Sequence, residues 1–508
     1  MIRVSTLLLA IVMATGAAQA QPAAPVIVRI DSGPVAGVVE GKASVFRDIP
    51  FAAAPVGALR WAPPQPVKAW TAPRAAALAG PSCPQPMTAS GAPNSGGANG
   101  PTSEDCLQLN VFAPRDAGAP AKGAPVMVWI HGGGHRTGAG WIYDGQNFAR
   151  DGVVVVSINY RLGALGYFAH PALTKAARTG EPLGNYGLMD KIAALKWVRR
   201  NISAFGGDPK NVTVFGESAG GMSTLALLAT PSATGLYQKA IVESGLGWFE
   251  PRTLADAEKA GAAALLKIGV PAAATAADLR ALSADKLAGI DGNYGPFIDG
   301  RLMTETASQA LARGHVPDVP LIIGSNSGED SLMGPMTLGA AAVARIPAAV
   351  KPAYAAEAAA GDDALARAVF TDRVMGGPAR WVAAKASGGQ PAWLYYFSYV
   401  GSRFRPAMTR AGHAAEIQYV WEYWGRRTPM SEVTDEDKAM AMLMHACWVS
   451  FAKSGTPNCG TSSWPAYTPA NDQLMEFGVS SGVRAHFRKA QLDAQEAQVL
   501  PTLMLGAK

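Results

Sequence analysis

A serine hydroxyl becomes a useful nucleophile only when it stands clear of its own backbone and beside a base. Gly216-Glu217-Ser218-Ala219-Gly220 offers the first condition. It follows the apolar run Val212-Thr213-Val214-Phe215 and precedes a helical stretch from Gly221 to Leu228. Strand, G-x-S-x-G and helix in that order predict a sharp turn, which the glycines permit and which lifts the hydroxyl out of the sheet. The helix would aim its free N–H groups at any anion formed beside Ser218. The chain also carries its own control. Gly478-Val479-Ser480-Ser481-Gly482 has the same letters, but Val483-Arg484-Ala485-His486 after it is no apolar helix, so this copy reads as a turn.

After such a serine the partners follow in the order acid, then histidine. The downstream histidines are His315, His413, His445 and His486. His413 sits in a loop of small residues, Ala411-Gly412-His413-Ala414-Ala415, with room for an imidazole to face a cleft, whereas His445 lies in an Ala/Met helix and reads as packed core. Glu329 follows the apolar Leu321-Ile322-Ile323 and an expected turn from Gly324 to Gly328, which puts a carboxylate at the carboxy end of a strand. Its neighbour Asp330 is the alternative that spacing leaves open. Upstream, Val126 to Ile130 leads into His131-Gly132-Gly133-Gly134. Consecutive glycines let main-chain N–H groups turn toward one point. Together with the Ala219 N–H they would cradle the oxygen that turns negative when Ser218 attacks a carbonyl.

These groups need a rigid frame. Val126–Ile130, Val153–Ile158, Val212–Phe215 and Val319–Ile323 are apolar without alternation, as in strands buried on both faces of a parallel sheet. Helical patterns at Met189–Asn201, Gly220–Ala229 and Ala255–Lys267 lie between them, so a doubly wound α/β fold is expected. The Ala-rich stretch from about 335 to 390 is expected to be a helical insertion over the strand ends. With no linker or repeat, residues 21–508 are expected to form one domain. The composition, 49% hydrophobic and 16% charged with 56 Gly and 37 Pro, excludes a mostly disordered chain and a coiled coil. The net charge of +6 is spread without long basic runs, so no nucleic-acid partner is expected.

Arg3, the apolar run Thr6–Met13 and the small residues Ala18-Gln19-Ala20 predict an export signal cleaved after Ala20, too short to span a bilayer. A secreted or periplasmic protein can keep disulfides. Cys83 and Cys106 flank a Gly/Pro/Ser/Asn-rich loop that a bridge would pin, contributing roughly 3 kcal/mol. Cys447 and Cys459 are a second candidate pair, with a buried free Cys447 as the alternative. No C-x-x-C pair or H-x-x-x-H helix supports a metal site, and nothing calls for a cofactor.

Phe205-Gly206-Gly207-Asp208-Pro209 through Gly216-Glu217-Ser218-Ala219-Gly220 resembles the serine signature of the type-B carboxylesterases, the family that includes cholinesterases. Glu104-Asp105-Cys106-Leu107-Gln108-Leu109-Asn110-Val111 resembles its second signature, and Asn159-Tyr160-Arg161-Leu162-Gly163, Gly184–Asp190 and Ile298-Asp299-Gly300 also fit. The resemblance runs from about residue 30 to 480. It implies an α/β-hydrolase fold: a large, mostly parallel sheet flanked by helices, with the helical insertion over an active-site gorge. It implies ester hydrolysis through an acyl-enzyme, with Ser218 as nucleophile, Glu329 as acid and His413 as base from the pattern H-x-x-E-[IL]. It also implies Gly133, Gly134 and Ala219 as oxyanion donors, and Cys83–Cys106 as the early disulfide. Asp330 departs from the glycine usual after the acid. The early loop lacks the aromatic residue that cholinesterases use for a quaternary amine, which argues against choline esters.

An amidase or carbamate hydrolase with the same machinery, and a non-catalytic adhesion-type relative, are the other readings. Arg403, Arg405 and Arg410 cluster before His413. Lining the gorge, they would favour esters of anionic or polycarboxylic acids; a solvated loop is the alternative. With an ordinary imidazole, activity should fall below about pH 6.5.

Overall fold

The apolar runs become the middle of one large sheet. The computed structural model describes residues 25–115, 122–334, 338–425, 427–460 and 463–504. The expected export signal, residues 1–20, lies outside them. The strands are β1 Val26–Ile30, β2 Gly33–Glu40, β3 Ala43–Pro50, β4 Arg74–Ala75, β5 Gln108–Pro114, β6 Ala124–Ile130, β7 Val154–Ile158, β8 Gly207–Glu217, β9 Lys239–Glu243, β10 Leu321–Asn326, β11 Ala392–Phe397, β12 Gln473–Phe477 and β13 Gly482–Ala485. They pair in the order β1-β2-β3-β5-β7-β6-β8-β9-β10-β11-β12-β13, with β4 beside β2. From β7 to β12 every pairing is parallel, and antiparallel strands close both ends. This is an α/β-hydrolase fold.

Side chains on a strand alternate between faces, so a strand covered on both sides must be apolar at every position. Val126, Val128 and Ile130 of β6 enter one core, while Met127 and Trp129 enter the other. Leu321 and Ile323 of β10 divide from Ile322 in the same way. Helices Tyr186–Asn201, Ala219–Leu228 and Gly377–Ala386 help cover one face, and Asp435–Ser454 the other. Thr434 and Asp437 form a capping box at the start of that last helix, and left-handed Gly455 stops it. Among the described residues no helix is long and apolar enough to cross a membrane.

One expectation needs correcting. Gly324–Asn326, expected in a turn, continue β10, pairing with Tyr395–Phe397 of β11. The strand starts at Leu321 rather than Val319, because Pro320 has no N–H for the ladder. The second G-x-S-x-G copy is the turn between β12 and β13. Both disulfides, Cys83–Cys106 and Cys447–Cys459, are formed, so Cys447 is not free.

The strand order explains where a site can form. The chain passes from β6 outward to β7, then crosses back to β8 on the other side of β6. At such a reversal the connections leave in opposite directions and open a crevice at the carboxy ends of the strands. Ile130 and Gly216 are paired neighbours there, so the loops after β6 and β8 emerge side by side.

Candidate functional site

Ser218 stands where β8 ends and the helix Ala219–Leu228 begins, with φ 54° and ψ −122°. A side chain in this sparsely populated region costs on the order of 1–3 kcal/mol, so the surroundings must impose it. They do. The Ser218 N–H donates to the Glu243 carbonyl at 2.8 Å, and the Ser218 carbonyl accepts from Met222 N–H at 2.8 Å. The turn is tight enough that a Cβ on Gly220 would strike the Ile130 carbonyl. Serine is only partly buried, unlike its neighbours Glu217 and Ala219.

The glycine loop after β6 lies against this turn. A Cβ on Gly132 would fall 3.2 Å from the Ser218 Cβ. Gly133 and Gly134 have φ 95° and 63°, and among the described residues neither N–H meets an acceptor. Ala219 is the first residue of its helix, so its N–H has no partner within the helix. Tyr160 Oη donates to the His131 carbonyl at 2.8 Å, and His135 Nε2 and Ser223 Oγ lie 2.9 Å apart. The loop is thereby tied to the helix that starts beside Ser218.

His413 and Glu329 arrive from loops beyond β10 and β11. His413 Nδ1 lies 2.6 Å from Glu329 Oε2. The other carboxylate oxygen of Glu329 accepts from Ser244 Oγ at 2.5 Å and from Asn326 N–H at 2.8 Å. The two loops are laced together: Gly328 N–H donates to the Ala411 carbonyl at 2.7 Å, Ala411 N–H to Ser327 Oγ at 2.9 Å, and His413 N–H to Ser331 Oγ at 2.8 Å. His413 Nε2 is 3.0 Å from Oε1 of Glu217, the residue before Ser218. The imidazole is thus brought to the residue before Ser218 with its far nitrogen held by Glu329, but no hydrogen bond joins its Nε2 to the Ser218 hydroxyl. Asp330 faces elsewhere, pairing with Arg367 at 2.8 Å and Arg410 at 3.0 Å.

Arg403 and Arg405, the candidates for substrate contact, are engaged outside this cluster. Arg405 grips the Glu436 carboxylate at 2.9 and 2.8 Å, and Arg403 pairs with Glu432 at 3.1 Å, both on an exposed surface. A cavity lined by Met222, Trp248, Phe249, Arg252, Phe297 and Met303 opens instead one turn along the helix from Ser218.

Beside Glu329, three further buried carboxyl groups that the sequence did not single out lie in this region: Glu217, Glu243 and Glu416. Asn326 Nδ2 donates to Glu416 and, at 3.0 Å, to the Gly412 carbonyl, while Trp448 Nε1 donates to Glu243 at 2.8 Å. Glu217 and Glu416 stood inside the motifs already quoted, G-E-S-A-G and H-x-x-E, so the signal was present. Ser244, Asn326 and Glu243 carried none.

Burial raises the Glu217 carboxyl to about 8 and also raises Glu243 and Glu416, because a low-dielectric setting disfavours their charged forms. Burial pulls His413 down, but the carboxylates of Glu217 and Glu329 outweigh it and push the imidazole up to about 10. Glu217 adds to that rise only while it carries its charge, and Glu329 contributes beside it. The direction is upward from the ordinary 6.5. If His413 serves as a general base it must be neutral, so activity would be lost as pH falls through this raised value, and the acid limb of kcat/KM should lie above pH 6.5. The earlier expectation of a limb near 6.5 is therefore moved upward. Glu217→Gln should shift the limb down by about one unit; a pH–rate profile of both proteins checks this, and a wild-type limb at or below 6.5 counts against it.

The match to the carboxylesterase family covers residues 24–495. The chain belongs to the carboxylesterase family. Para-nitrobenzyl esterase of Bacillus subtilis (strain 168) is 36% identical over 87% of this chain and 92% of its own length. Fumonisin B1 esterase of Sphingopyxis macrogoltabida is 36% identical over 91% and 88%, and the liver carboxylesterase of Sus scrofa 32% over 91% of each. A solved para-nitrobenzyl esterase superposes with a TM-score of 0.79 at 34% identity, covering 92% of this chain and 99% of its own. This carboxylesterase is a carboxylic ester hydrolase acting on small-molecule esters.

Proposed function

We propose that this carboxylesterase works as an exported serine enzyme through an acyl-enzyme intermediate. Ser218 attacks the ester carbonyl as His413 takes its proton, and Glu329 holds the imidazole and stabilises its charged form. The N–H groups of Gly133, Gly134 and Ala219 receive the oxyanion. His413 returns the proton to the departing alcohol, then activates water to release the acid. The observation that carries this reading is the 2.6 Å contact between His413 Nδ1 and Glu329 on an imidazole whose other nitrogen stands 3.0 Å from Glu217, the residue before Ser218. Two disulfides support a site of action outside the cytoplasm.

The preference for esters of anionic acids loses its first support, since Arg403 and Arg405 are committed to Glu432 and Glu436. Arg252 takes over that role. It lines the cavity next to Met222, and its guanidinium donates to the carbonyl oxygens of Asn293 and Gly295 at 2.6 and 2.7 Å. The remaining wall, Trp248, Phe249, Phe297 and Met303, suits an apolar portion of the substrate.

A panel of matched esters, amides and carbamates, with neutral and anionic acyl groups, tests this reading. Esters should be turned over fastest. Arg252→Gln should lower kcat/KM for the anionic ester about tenfold and leave the neutral one within a factor of two, since charge-assisted hydrogen bonds contribute about 1.5–3 kcal/mol. Faster amide or carbamate turnover overturns the ester assignment, and an unchanged ratio in Arg252→Gln removes the anionic preference.

A further inference from the structure

On the face of the sheet away from the cavity, three segments distant in sequence bring together His445, Asp151 and Glu422. Their ligand atoms all lie within 4.8 Å of one another. His445 comes from the helix Asp435–Ser454, Asp151 from the end of the helix Gln146–Arg150, and Glu422 from just past the helix Ile417–Val420. We propose that they form a binding site for a divalent transition-metal cation of the Zn2+ class.

The histidine decides the chemistry. It is 2% exposed and its ring packs on Phe148 with centroids 4.4 Å apart. Nδ1 lies 2.7 Å from the Val420 carbonyl, which can only accept, so Nδ1 carries the proton. A second proton on the ring would make Nε2 a donor to Asp151; without it, Nε2 presents a lone pair. This nitrogen is buried and makes no hydrogen bond of acceptable geometry, yet Asp151 Oδ2 stands 3.1 Å away. Two electron-pair donors at that spacing need a positive centre between them, either a proton on the ring or a metal ion that both ligate. A carbonyl fixing the far nitrogen is also the usual support of a metal-ligating imidazole.

The spacing fits. With bonds of about 2.0–2.1 Å, ligand atoms of a tetrahedral zinc site stand about 3.3 Å apart. One imidazole with two carboxylates suits zinc and its neighbours better than calcium or magnesium, which take oxygen ligands. The shallow cavity of about 450 Å³ beside the three residues leaves space for water to complete the shell. A competitor is present: Arg150 Nη2 lies 2.6 Å from Asp151 Oδ2 and 2.6 Å from Glu422 Oε2. Its side chain is 39% exposed, so it can swing into solvent as the metal enters.

Equilibrium dialysis of the full-length protein against Zn2+, with thermal unfolding in parallel, tests the site. The wild-type protein should bind one zinc that His445→Gln and Asp151→Asn each weaken by at least about tenfold, the range for lost metal ligands and their supports. Arg150→Ala should bind about tenfold tighter, and zinc should raise the unfolding midpoint of the wild type but not of His445→Gln. Metal-free esterase activity should stay within a factor of two in all three variants. Equal zinc binding by wild type and His445→Gln, or no binding by the wild type, overturns the proposal. Binding by Arg150→Ala alone overturns it too, because the guanidinium would then be the native occupant.

Discussion

Ser218→Ala should abolish turnover of a short p-nitrophenyl ester, lowering kcat by on the order of 10⁵-fold or more, as removal of a serine nucleophile does elsewhere. The fold should survive. Ser218 is held by its backbone, through Glu243 and Met222, and its side chain supplies no cap to the helix that follows. Alanine keeps the Cβ already accommodated at φ 54°, so the strain of the turn is unchanged. A fluorophosphonate should label the wild-type protein once, on Ser218, and leave the variant unlabelled. Substantial activity or labelling in a folded variant sinks the mechanism.

Gly133→Ala should lower kcat by about 10²–10³-fold, the effect of losing an oxyanion donor. At φ 95° alanine is strained, and its methyl group would run into the Thr137 carbonyl, so the loop must shift. Gly134→Ala is the control. It too has a positive φ, at 63°, but a Cβ there meets nothing within 4 Å, so the loop can stay in place and the loss should be much smaller. Kinetics and unfolding midpoints of both variants separate a lost donor from lost stability; equal effects would remove the distinction.

The parts that could be read from the chain are those whose physical demands fall within a few residues. A strand, a glycine-bounded turn and a helix are consecutive at Ser218. The apolar runs of β6 and β7 reflect burial on both faces, which acts position by position. The choice between Glu329 and Asp330 could not be made that way, because both leave the same strand. Only the folded chain separates them: Ser244 and Asn326 hold Glu329, while Arg367 and Arg410 draw Asp330 aside. For Arg403 and Arg405 the choice between gorge lining and a solvated loop was open for a related reason: nearness to His413 in sequence says nothing of Glu432 and Glu436, which claim them. The grouping of His445 with Asp151 and Glu422 has no local trace either, since each lies in a different segment.

The lacing of the Glu329 and His413 loops has a mechanical consequence. With Gly328, Ser327 and Ser331 bound to Ala411 and His413, the carboxylate and imidazole travel as one body, which meets the serine turn through the 3.0 Å contact of His413 with Glu217. Breathing of the molecule should therefore widen the gap on the Ser218 side first. An enzyme warmed toward inactivation would fall silent with its charged couple still clasped.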